Sequence, residues 1–286
     1  MKIAVLGSLG QLGRDLCPRL QGEVISLGRA DFDLTDHERL RQRLIELRPD
    51  AVVNCAAYNF VDRAESQPEV AMAVNVWAVR DLAQVCRDLN ALLVHFSTDY
   101  VFGLDSARSA PWREEDAPGP ISVYGLGKLA GEYFVRSICP KHFVVRTCGL
   151  YGLAGMGGKG GNFVETMLRA AGQAKPLRVV ADQRCTPSFT ADVAVAVAEL
   201  IPTAAYGLYH ITNVSDCSWY EFASEIFRLS GLSPALRAIT SAEYEAPARR
   251  PTYSVLSLER FASLGLARPR PWHDALAAYL RERQSR

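Results

Sequence analysis

Short apolar runs alternate with amphipathic stretches through the first half of the chain. Lys2–Leu6 is an apolar run of strand length, and four more follow at Glu23–Leu27, Ala51–Asn54, Leu92–Phe96 and His142–Arg146. Between these runs, apolar residues recur at helical spacing, for example in 40–47 and 68–89. Short apolar runs bounded by helical patterns are typical of buried parallel strands. The pattern therefore predicts an α/β fold, with a doubly wound parallel sheet and helices on both faces.

A glycine-rich turn follows the first predicted strand. Gly7, Gly10 and Gly13 stand between this strand and a helical pattern that continues through Leu16 and Leu20. In a dinucleotide-binding loop, such glycines make the tight turn, admit the pyrophosphate to the backbone and let helix pack on strand. The free N–H groups of the helix N-terminus bind the phosphates. The spacing is G-x-x-G-x-x-G rather than the common G-x-G-x-x-G, and a glycine-rich loop without a ligand is the alternative.

The pattern loosens after about residue 150. A glycine-rich stretch at 155–161 predicts a mobile loop, and further elements are expected at 163–171, 190–200, 207–211 and 219–229. The chain has no low-complexity linker and no internal repeat, so we expect its two parts to share an interface. We predict a dinucleotide-binding Rossmann domain, residues 1–150 plus about 182–201, and a smaller, discontinuous α/β substrate-binding region of about 151–181 and 202–286.

Composition excludes several classes of protein. Of the 286 residues, 49% are hydrophobic, and the net charge of +1 comes without a basic block, so no nucleic-acid footprint is expected. The apolar runs are too short to span a bilayer. The seven cysteines are irregularly spaced without Cys-x-x-Cys, which predicts reduced thiols in a cytoplasmic protein. The five histidines form no His-Glu-x-x-His, so we expect no metal site.

Tyr124 and Lys128 lie four residues apart and would share one face of a helix. A positive charge ~4 Å from a phenol, at an effective dielectric of ~20, favours the phenolate by roughly 4 kcal/mol, or about 3 pK units. Such a shift would lower the pKa of Tyr124 towards the range of a general acid. The alternative is an ordinary pair on a helix surface.

Taken in order, the motifs resemble those of the extended short-chain dehydrogenase/reductases, and more narrowly the dTDP-4-dehydrorhamnose reductase family. The resemblance covers about residues 1–284. The matching stretches are Gly7–Gly13, Asn54–Glu65, Ser97–Phe102, Tyr124–Lys128 with the following Leu-Ala-Gly-Glu132, Gly161–Phe163, Asp182–Gln183, Gly207–His210, and Ala248–Pro251 with Ser254. The resemblance implies NAD(P)H-dependent reduction of the C4 ketone of a nucleotide-linked 6-deoxysugar.

The resemblance also implies a role for each matching residue. Tyr124 is the general acid, Lys128 tunes it and binds the nicotinamide ribose, and Thr98 orients the carbonyl. Two donors placed before reaction would stabilise the negative charge that develops on oxygen. The implied cofactor contacts are Gly7, Gly10, Gln11, Leu12, Gly13, Asp33, Leu34, Asn54, Ala56, Ala57, Tyr124 and Lys128. The implied substrate contacts are Thr98, Asp99, Tyr124, Asn162, Arg249 and Arg250.

Several of these residues have structural alternatives. Thr98 could satisfy backbone groups at a strand end, and Asp33 could cap a helix. Asp99 is either a structural loop residue or a substrate contact. Arg249 and Arg250 suit a diphosphate or form a solvated basic turn.

Cofactor preference depends on Arg29, which stands just after the second strand. An acidic residue there would pair with the ribose hydroxyls of NAD. A guanidinium suits a 2′-phosphate instead, so we expect NADPH, with NADH as the alternative if Arg29 is solvated.

Two departures from the family bear on function. Gly149 stands where the family often has a tryptophan against the sugar, which leaves the identity of the sugar open. Tyr100 replaces the glutamate of related dehydratases, which disfavours dehydration. The alternatives are another 4-ketosugar-nucleotide reductase or epimerase, or a non-catalytic NADP-binding regulatory subunit. We expect a nucleotide-sugar substrate and neither nucleic-acid nor membrane partners, and a homodimer is left open.

Overall fold

The computed structural model describes residues 1–154, 161–172 and 176–285. The loop predicted at 155–161 falls outside these residues except for Gly161. The strands are β1 Lys2–Leu6, β2 Glu23–Leu27, β3 Ala51–Asn54, β4 Leu92–Thr98, β5 His142–Thr147, β6 Leu150–Tyr151, β7 Leu177–Val180, β8 Arg184–Cys185, β9 Ser188–Phe189, β10 Gly207–His210, β11 Cys217–Ser218 and β12 Leu236–Ile239.

The helices lie between these strands and at the C-terminal end. They are α1 Gln11–Leu16, α2 His37–Leu47, α3 Val61–Ser66, α4 Pro68–Met72, α5 Ala78–Asp88, α6 Val123–Ile138, α7 Phe163–Ala171, α8 Thr190–Leu200, α9 Trp219–Leu229, α10 Ser241–Tyr244, α11 Glu259–Ala262 and α12 Trp272–Gln284. A π-helical turn at Ala73–Trp77 joins α4 to α5. Short 3₁₀ turns occupy Cys17–Arg19, Asp99–Val101 and Ile201–Thr203.

A six-stranded parallel sheet forms the centre of the molecule, in the order β10-β5-β4-β3-β1-β2. Alternate residues of each strand face opposite layers. Ile3 and Val5 pack against α1 and α8, whereas Ala4 and Leu6 pack against α2, α5 and α6. Because both faces are covered, every residue of β3 and β4 is buried. The predicted doubly wound parallel sheet is confirmed.

The second part of the chain adds three two-stranded sheets, β6-β9, β7-β12 and β8-β11. Together with α7, α9 and α12 they enclose a separate aromatic core that includes Tyr151, Phe189, Phe222, Trp272 and Tyr279. Strand β10, which the sequence analysis assigned to the substrate-binding region, is an edge strand of the central sheet. The division into two domains stays a prediction.

Helix α6 contains three glycines, although glycine in a helix interior costs about 1 kcal/mol relative to alanine. A Cβ at Gly125 would lie 2.2 Å from the carbonyl oxygen of Tyr100, and one at Gly131 would lie 2.5 Å from that of Asn75. Glycine therefore lets α6 approach the backbone of its neighbours. Asn75 lies in the π-helical turn, and its side chain holds both backbone polar groups of Tyr58.

The described residues contain no helix long and apolar enough to cross a membrane, and they contain no cluster of three or more His, Cys, Asp or Glu side chains suited to a metal ion. All seven cysteines are free.

Candidate active site

A cleft of about 380 Å³ opens at the carboxyl edge of the central sheet. One wall is the loop between β1 and α1, and the ends of β4 and β5 form the floor. The far wall comes from the second part of the chain and includes Gln183, Arg184 and Trp219. In open α/β sheets, ligands bind outside the carboxyl ends of the strands. This cleft is therefore the candidate active site.

The glycine loop has no room for larger residues. Gly7 has a φ of +71°, and a Cβ there would lie 2.8 Å from the amide nitrogen of Ala56. At Gly13 a Cβ would lie 2.5 Å from the carbonyl oxygen of Gly7. Helix α1 begins at Gln11 without a side-chain cap on its first N–H groups. Among the predicted loop contacts, Gly10, Gln11, Leu12 and Gly13 line the cleft.

Thr98, Tyr124 and Lys128 meet in the same cleft. Thr98 ends β4, and Tyr124 lies in the first turn of α6, where Ser122 caps the helix. The side chains of Thr98 and Tyr124 are hydrogen-bonded, and the ring of Tyr100 meets that of Tyr124 edge-on at 5.9 Å. Two hydroxyl groups at one point are the arrangement needed to bind and protonate a carbonyl oxygen.

The expected lowering of the Tyr124 pKa by Lys128 is wrong for this structure. Burial raises the pKa of Tyr124, and the hydrogen bond with Thr98 only partly offsets that effect. Burial also lowers the pKa of Lys128 to about 8, against the attraction of Glu132. The ammonium donates to the carbonyl oxygen of Phe96 at 2.6 Å. Desolvation, which helical spacing cannot reveal, is therefore the largest cause of both pKa shifts.

Lys128 is the first of three buried polar side chains in a row, Lys128, His95 and Asn54, which we call the buried polar column. The Nε2 atom of His95 lies 3.5 Å from Lys128 Nζ, and its Nδ1 atom lies 3.2 Å from Asn54 Nδ2. The backbone N–H of Ala56 donates to Asn54 Oδ1 at 3.1 Å. Burial holds the pKa of His95 well below its usual value, so the ring is neutral. The Asn54 side chain, predicted to lie along a cofactor, thus contacts its own loop and His95.

A buried ion pair supports the same helix from below. Glu132 and Arg146 are 0% and 1% exposed, and the Arg146 Nη2 atom lies 2.8 Å from Glu132 Oε2. Ser97 donates to Glu132 Oε1 at 2.5 Å. Removal of one partner would leave a buried, unpaired charge, which costs several kcal/mol. The pair therefore ties α6 to β4 and β5 directly under the cleft.

Asp99 was predicted to be either a structural residue or a substrate contact. Its carboxylate is 2% exposed and accepts hydrogen bonds from Ser254 Oγ at 2.6 Å and Cys148 Sγ at 3.1 Å. Burial raises the pKa of Asp99, and these hydrogen bonds oppose the rise. The contact with Ser254 links the central sheet to the second part of the chain, which favours the structural role.

The other predicted cofactor residues lie around β2 and β3. Arg29 and Asp33 are exposed, and hydrogen bonds from Thr35 lower the pKa of Asp33. Asp33 does not cap α2, since Asp36 accepts from Arg39 N and fills that position. Leu34 and Ala56 are half-buried, and Ala57 lines the cleft.

The predicted substrate residues outside the cleft floor are already engaged or exposed. Arg250 forms an ion pair with Asp62 at 2.9 Å and is hydrogen-bonded to Tyr100. Asn162 caps α7 and donates to Gln11 Oε1 at 3.1 Å. Arg249 is exposed. None of the three lines the cleft among the described residues, and their contacts with a substrate stay predictions.

A model of the family described as the RmlD substrate binding domain matches residues 1–285. The chain belongs to this family. A dTDP-4-dehydrorhamnose reductase of Streptomyces griseus is 44% identical over 282 residues, which are 95% of this chain and 90% of that protein. A dTDP-4-keto-6-deoxy-D-glucose reductase of Streptomyces niveus is 38% identical over 277 residues, which are 95% of this chain and 94% of that protein.

A solved member of the RmlD family shares the whole fold. The crystal structure of a Bacillus anthracis dTDP-4-dehydrorhamnose reductase in complex with NADP matches at a TM-score of 0.92 and 35% identity. The match covers 98% of this chain and 99% of that one. The resemblance inferred from the sequence motifs is confirmed.

Sequence reasoning missed several residues of this RmlD-family cleft. Trp219, Cys148 and Cys185 line it, and His95 stands behind it. Gly149 has a φ of +51°, and a Cβ there would lie 3.2 Å from the Trp219 ring. The indole of Trp219 therefore occupies space beside the missing side chain. In the sequence, the only sign of Trp219 was that Gly149 stands where the family often has a tryptophan. Only the fold identifies Trp219 as the distant residue beside it.

Proposed function

We propose that this protein is an NAD(P)H-dependent oxidoreductase that reduces the C4 ketone of a nucleotide-linked 6-deoxysugar, of the dTDP-4-dehydrorhamnose type. The hydrogen-bonded pair Thr98–Tyr124, in one cleft with Lys128 and the glycine loop, is the observation that supports it best. The names of the relatives agree with this reaction. The sugar is open to test, since two relatives of similar identity have names that specify different ketosugars.

The glycine loop fits the pyrophosphate of a dinucleotide, because Gly10 and Gly13 line the cleft and α1 begins there with no side-chain cap on its first N–H groups. Gly10, Gln11, Leu12 and Gly13 would hold the phosphates, and Lys128 and Tyr124 would face the ribose. When bound, reduced nicotinamide supplies the hydride. Thr98 and Tyr124 would bind the ketone oxygen, and Tyr124 would donate its proton to that oxygen. Lys128, one turn along α6 from Tyr124, would supply a replacement proton.

The direct test is an assay with two substrates. Purified protein is mixed with NADPH and dTDP-4-dehydro-6-deoxy-L-lyxo-hexulose, and the loss of reduced-cofactor absorbance is followed. Oxidation well above that of the Tyr124→Phe variant is expected. A rate equal to that of the variant would contradict the proposal. An epimerase would retain its cofactor through purification, whereas a reductase should exchange it, so the cofactor content of the purified protein separates these readings.

We further propose NADPH as the preferred cofactor, because Arg29 is exposed just after β2, where its guanidinium suits a 2′-phosphate. The relative from Bacillus anthracis was solved with NADP. Arg29→Ala should weaken NADPH binding more than NADH binding, measured by calorimetric titration. Equal weakening of both would remove the argument for the phosphate.

We propose a division of labour between the central sheet and the aromatic core, with β10 as the exception because it extends the central sheet. Residues 1–150 with about 182–201 would bind the dinucleotide, and about 151–181 with 202–286 would bind the sugar nucleotide.

We also propose that the protein is a homodimer. Four large apolar side chains on the paired helices around α4, α5 and α6 are about half exposed: Val70 at 50%, Trp77 at 53%, Leu126 at 52% and Tyr133 at 53%. Light scattering after size exclusion would show twice the mass of the chain, and Trp77→Glu should reduce it.

A further inference from the structure

In the buried polar column Asn54–His95–Lys128, the donor and the acceptor of each hydrogen bond can be assigned. Its three side chains are 1%, 0% and 2% exposed, so water does not compete for their polar atoms. They come from three separate elements, namely the end of β3, the middle of β4 and the second turn of α6. The direction of each hydrogen bond follows from a neighbouring group that can only donate, the backbone N–H of Ala56.

A backbone N–H can only donate, so the Asn54 side-chain atom 3.1 Å from the Ala56 nitrogen is the amide oxygen. The amide nitrogen of Asn54 therefore faces His95 Nδ1 at 3.2 Å and donates to it. A neutral imidazole carries one proton, and Nδ1 acts as an acceptor here. The proton of His95 is thus on Nε2.

That proton points at the amine of Lys128. His95 Nε2 lies 3.5 Å from Lys128 Nζ, whereas the Phe96 carbonyl oxygen lies 2.6 Å from the same nitrogen. An ammonium group has donors only, so it cannot accept from His95. A neutral amine has a lone pair and can accept. The histidine proton therefore opposes the charged form of Lys128 and stabilises the neutral form.

We propose that His95 is a positioning residue whose Nε2–H stabilises the neutral amine of Lys128, so that Lys128 can return a proton to Tyr124 after each reduction. The inference rests on the reductase function proposed above. The O–H bond of Tyr124 breaks as its proton passes to the ketone oxygen. One N–H bond of Lys128 then breaks as the Tyr124 O–H bond re-forms. The freed electron pair stays on Nζ and accepts from His95, until a solvent proton restores the ammonium.

Other groups near Lys128 also influence its protonation. Glu132, one turn further along α6, favours the charged lysine. Its carboxylate is held by Arg146 from β5 and by Ser97 from β4. Tyr124 lies one turn earlier on α6. Substitution at His95 removes none of these groups, so the comparison of His95→Met with His95→Gln isolates the effect of the N–H donor.

The first test reads the tautomer directly in the full chain without ligands. Long-range nitrogen–proton NMR correlations should show His95 protonated at Nε2 and unprotonated at Nδ1. His142 is an internal reference with the opposite tautomer, because its Nδ1 atom lies 2.6 Å from the Cys139 carbonyl oxygen and must donate to it. His95→Gln assigns the His95 signal by its loss. A proton on Nδ1 of His95, or protons on both nitrogens, would overturn the proposal.

The second test measures Lys128 with two variants at one position. In His95→Met the N–H donor is lost, so the lysine should hold its proton about tenfold more tightly, as seen in the titration of its Cε carbon shift. His95→Gln keeps an N–H donor and should restore the titration. With substrate, His95→Met should lower kcat and move the alkaline limb of the pH profile upwards while KM stays nearly constant.

Identical titrations in wild type, His95→Met and His95→Gln would refute the role of His95. His142→Gln, on the half-buried first residue of β5, is the matched control and should change neither the Lys128 titration nor kcat. If His95→Met does not fold, the His95 tautomer measured in the wild-type protein still tests the proposal. Tautomer and titration need no cofactor or substrate, so they can fail or succeed independently of the reductase assay.

Discussion

The two sides of the cleft are built in different ways. The side that we propose for the cofactor consists of backbone: Gly7, Gly10 and Gly13 lie in one loop that directly follows β1. The side that we propose for the sugar consists of side chains from distant segments, such as Trp219 from α9. Long-range contacts such as that of Ser254 with Asp99 join it to the sheet. The comparison indicates that local sequence specifies the first side, whereas tertiary packing specifies the second.

Thr98→Val should have the largest effect, because we propose that Thr98 and Tyr124 bind the ketone oxygen where the two sides of the cleft meet. Loss of one donor to a developing oxyanion typically lowers kcat by about 10²–10³-fold. We expect that loss with a similar KM for both substrates, measured in steady state. Thr203→Val is the control, since Thr203 ends the 3₁₀ turn after α8, where its hydroxyl donates to the Leu200 carbonyl oxygen and accepts from Ala205 N. A full-rate Thr98→Val enzyme would remove Thr98 from the chemistry.

Lys128→Met should stabilise the fold while abolishing the proposed proton return. The pKa of Lys128 is lowered from 10.5 to about 8 by burial, so between these values the unfolded chain binds more protons and stability rises with pH. Below about pH 8 the buried charge is a cost that methionine removes, up to about 3 kcal/mol at pH 7. Urea titrations should show this gain shrink as pH approaches 10.5. A constant gain at all pH values would contradict the lowered pKa.

Gly13→Ala tests the backbone side. Its Cβ would lie 2.5 Å from the Gly7 carbonyl oxygen, so the loop must move, at a cost of about 2 kcal/mol. Affinity for NADPH should fall at least tenfold, while the KM for the sugar nucleotide changes little. Gly172→Ala is the control, because its Cβ meets only the Arg169 carbonyl oxygen at 3.7 Å. Unchanged NADPH affinity would show that the loop does not hold the cofactor.

Gly149→Ala tests the sugar side and should have the smallest effect. The φ of +51° and the approach of 3.2 Å to the Trp219 ring together cost about 1 kcal/mol. We expect the KM for the sugar nucleotide to rise several-fold without change in NADPH affinity. A change confined to NADPH would reverse the assignment of the two sides.

The same contrast explains how far the sequence could predict the structure. Strand, glycine turn and helix follow one another in β1 and α1, so local pattern sufficed to predict the sheet and the glycine loop. Tyr124 and Lys128 were found through helical spacing, but their pKa shifts were not, because burial depends on what covers a helix. Trp219 could not be paired with Gly149, which is 70 residues away in the chain.

The contact of Gly125 with Tyr100 has a consequence for how the active site can diversify. Where a backbone carbonyl rests directly on a bare helix turn, the depth of α6 is set by two main chains. The position of the Tyr124 phenol then depends on this backbone contact between Gly125 and Tyr100, and not on the side chains of the opposite wall. Residues of the wall that we propose for the sugar can therefore be replaced to admit new substrates, while Tyr124, the proposed proton donor, keeps its place.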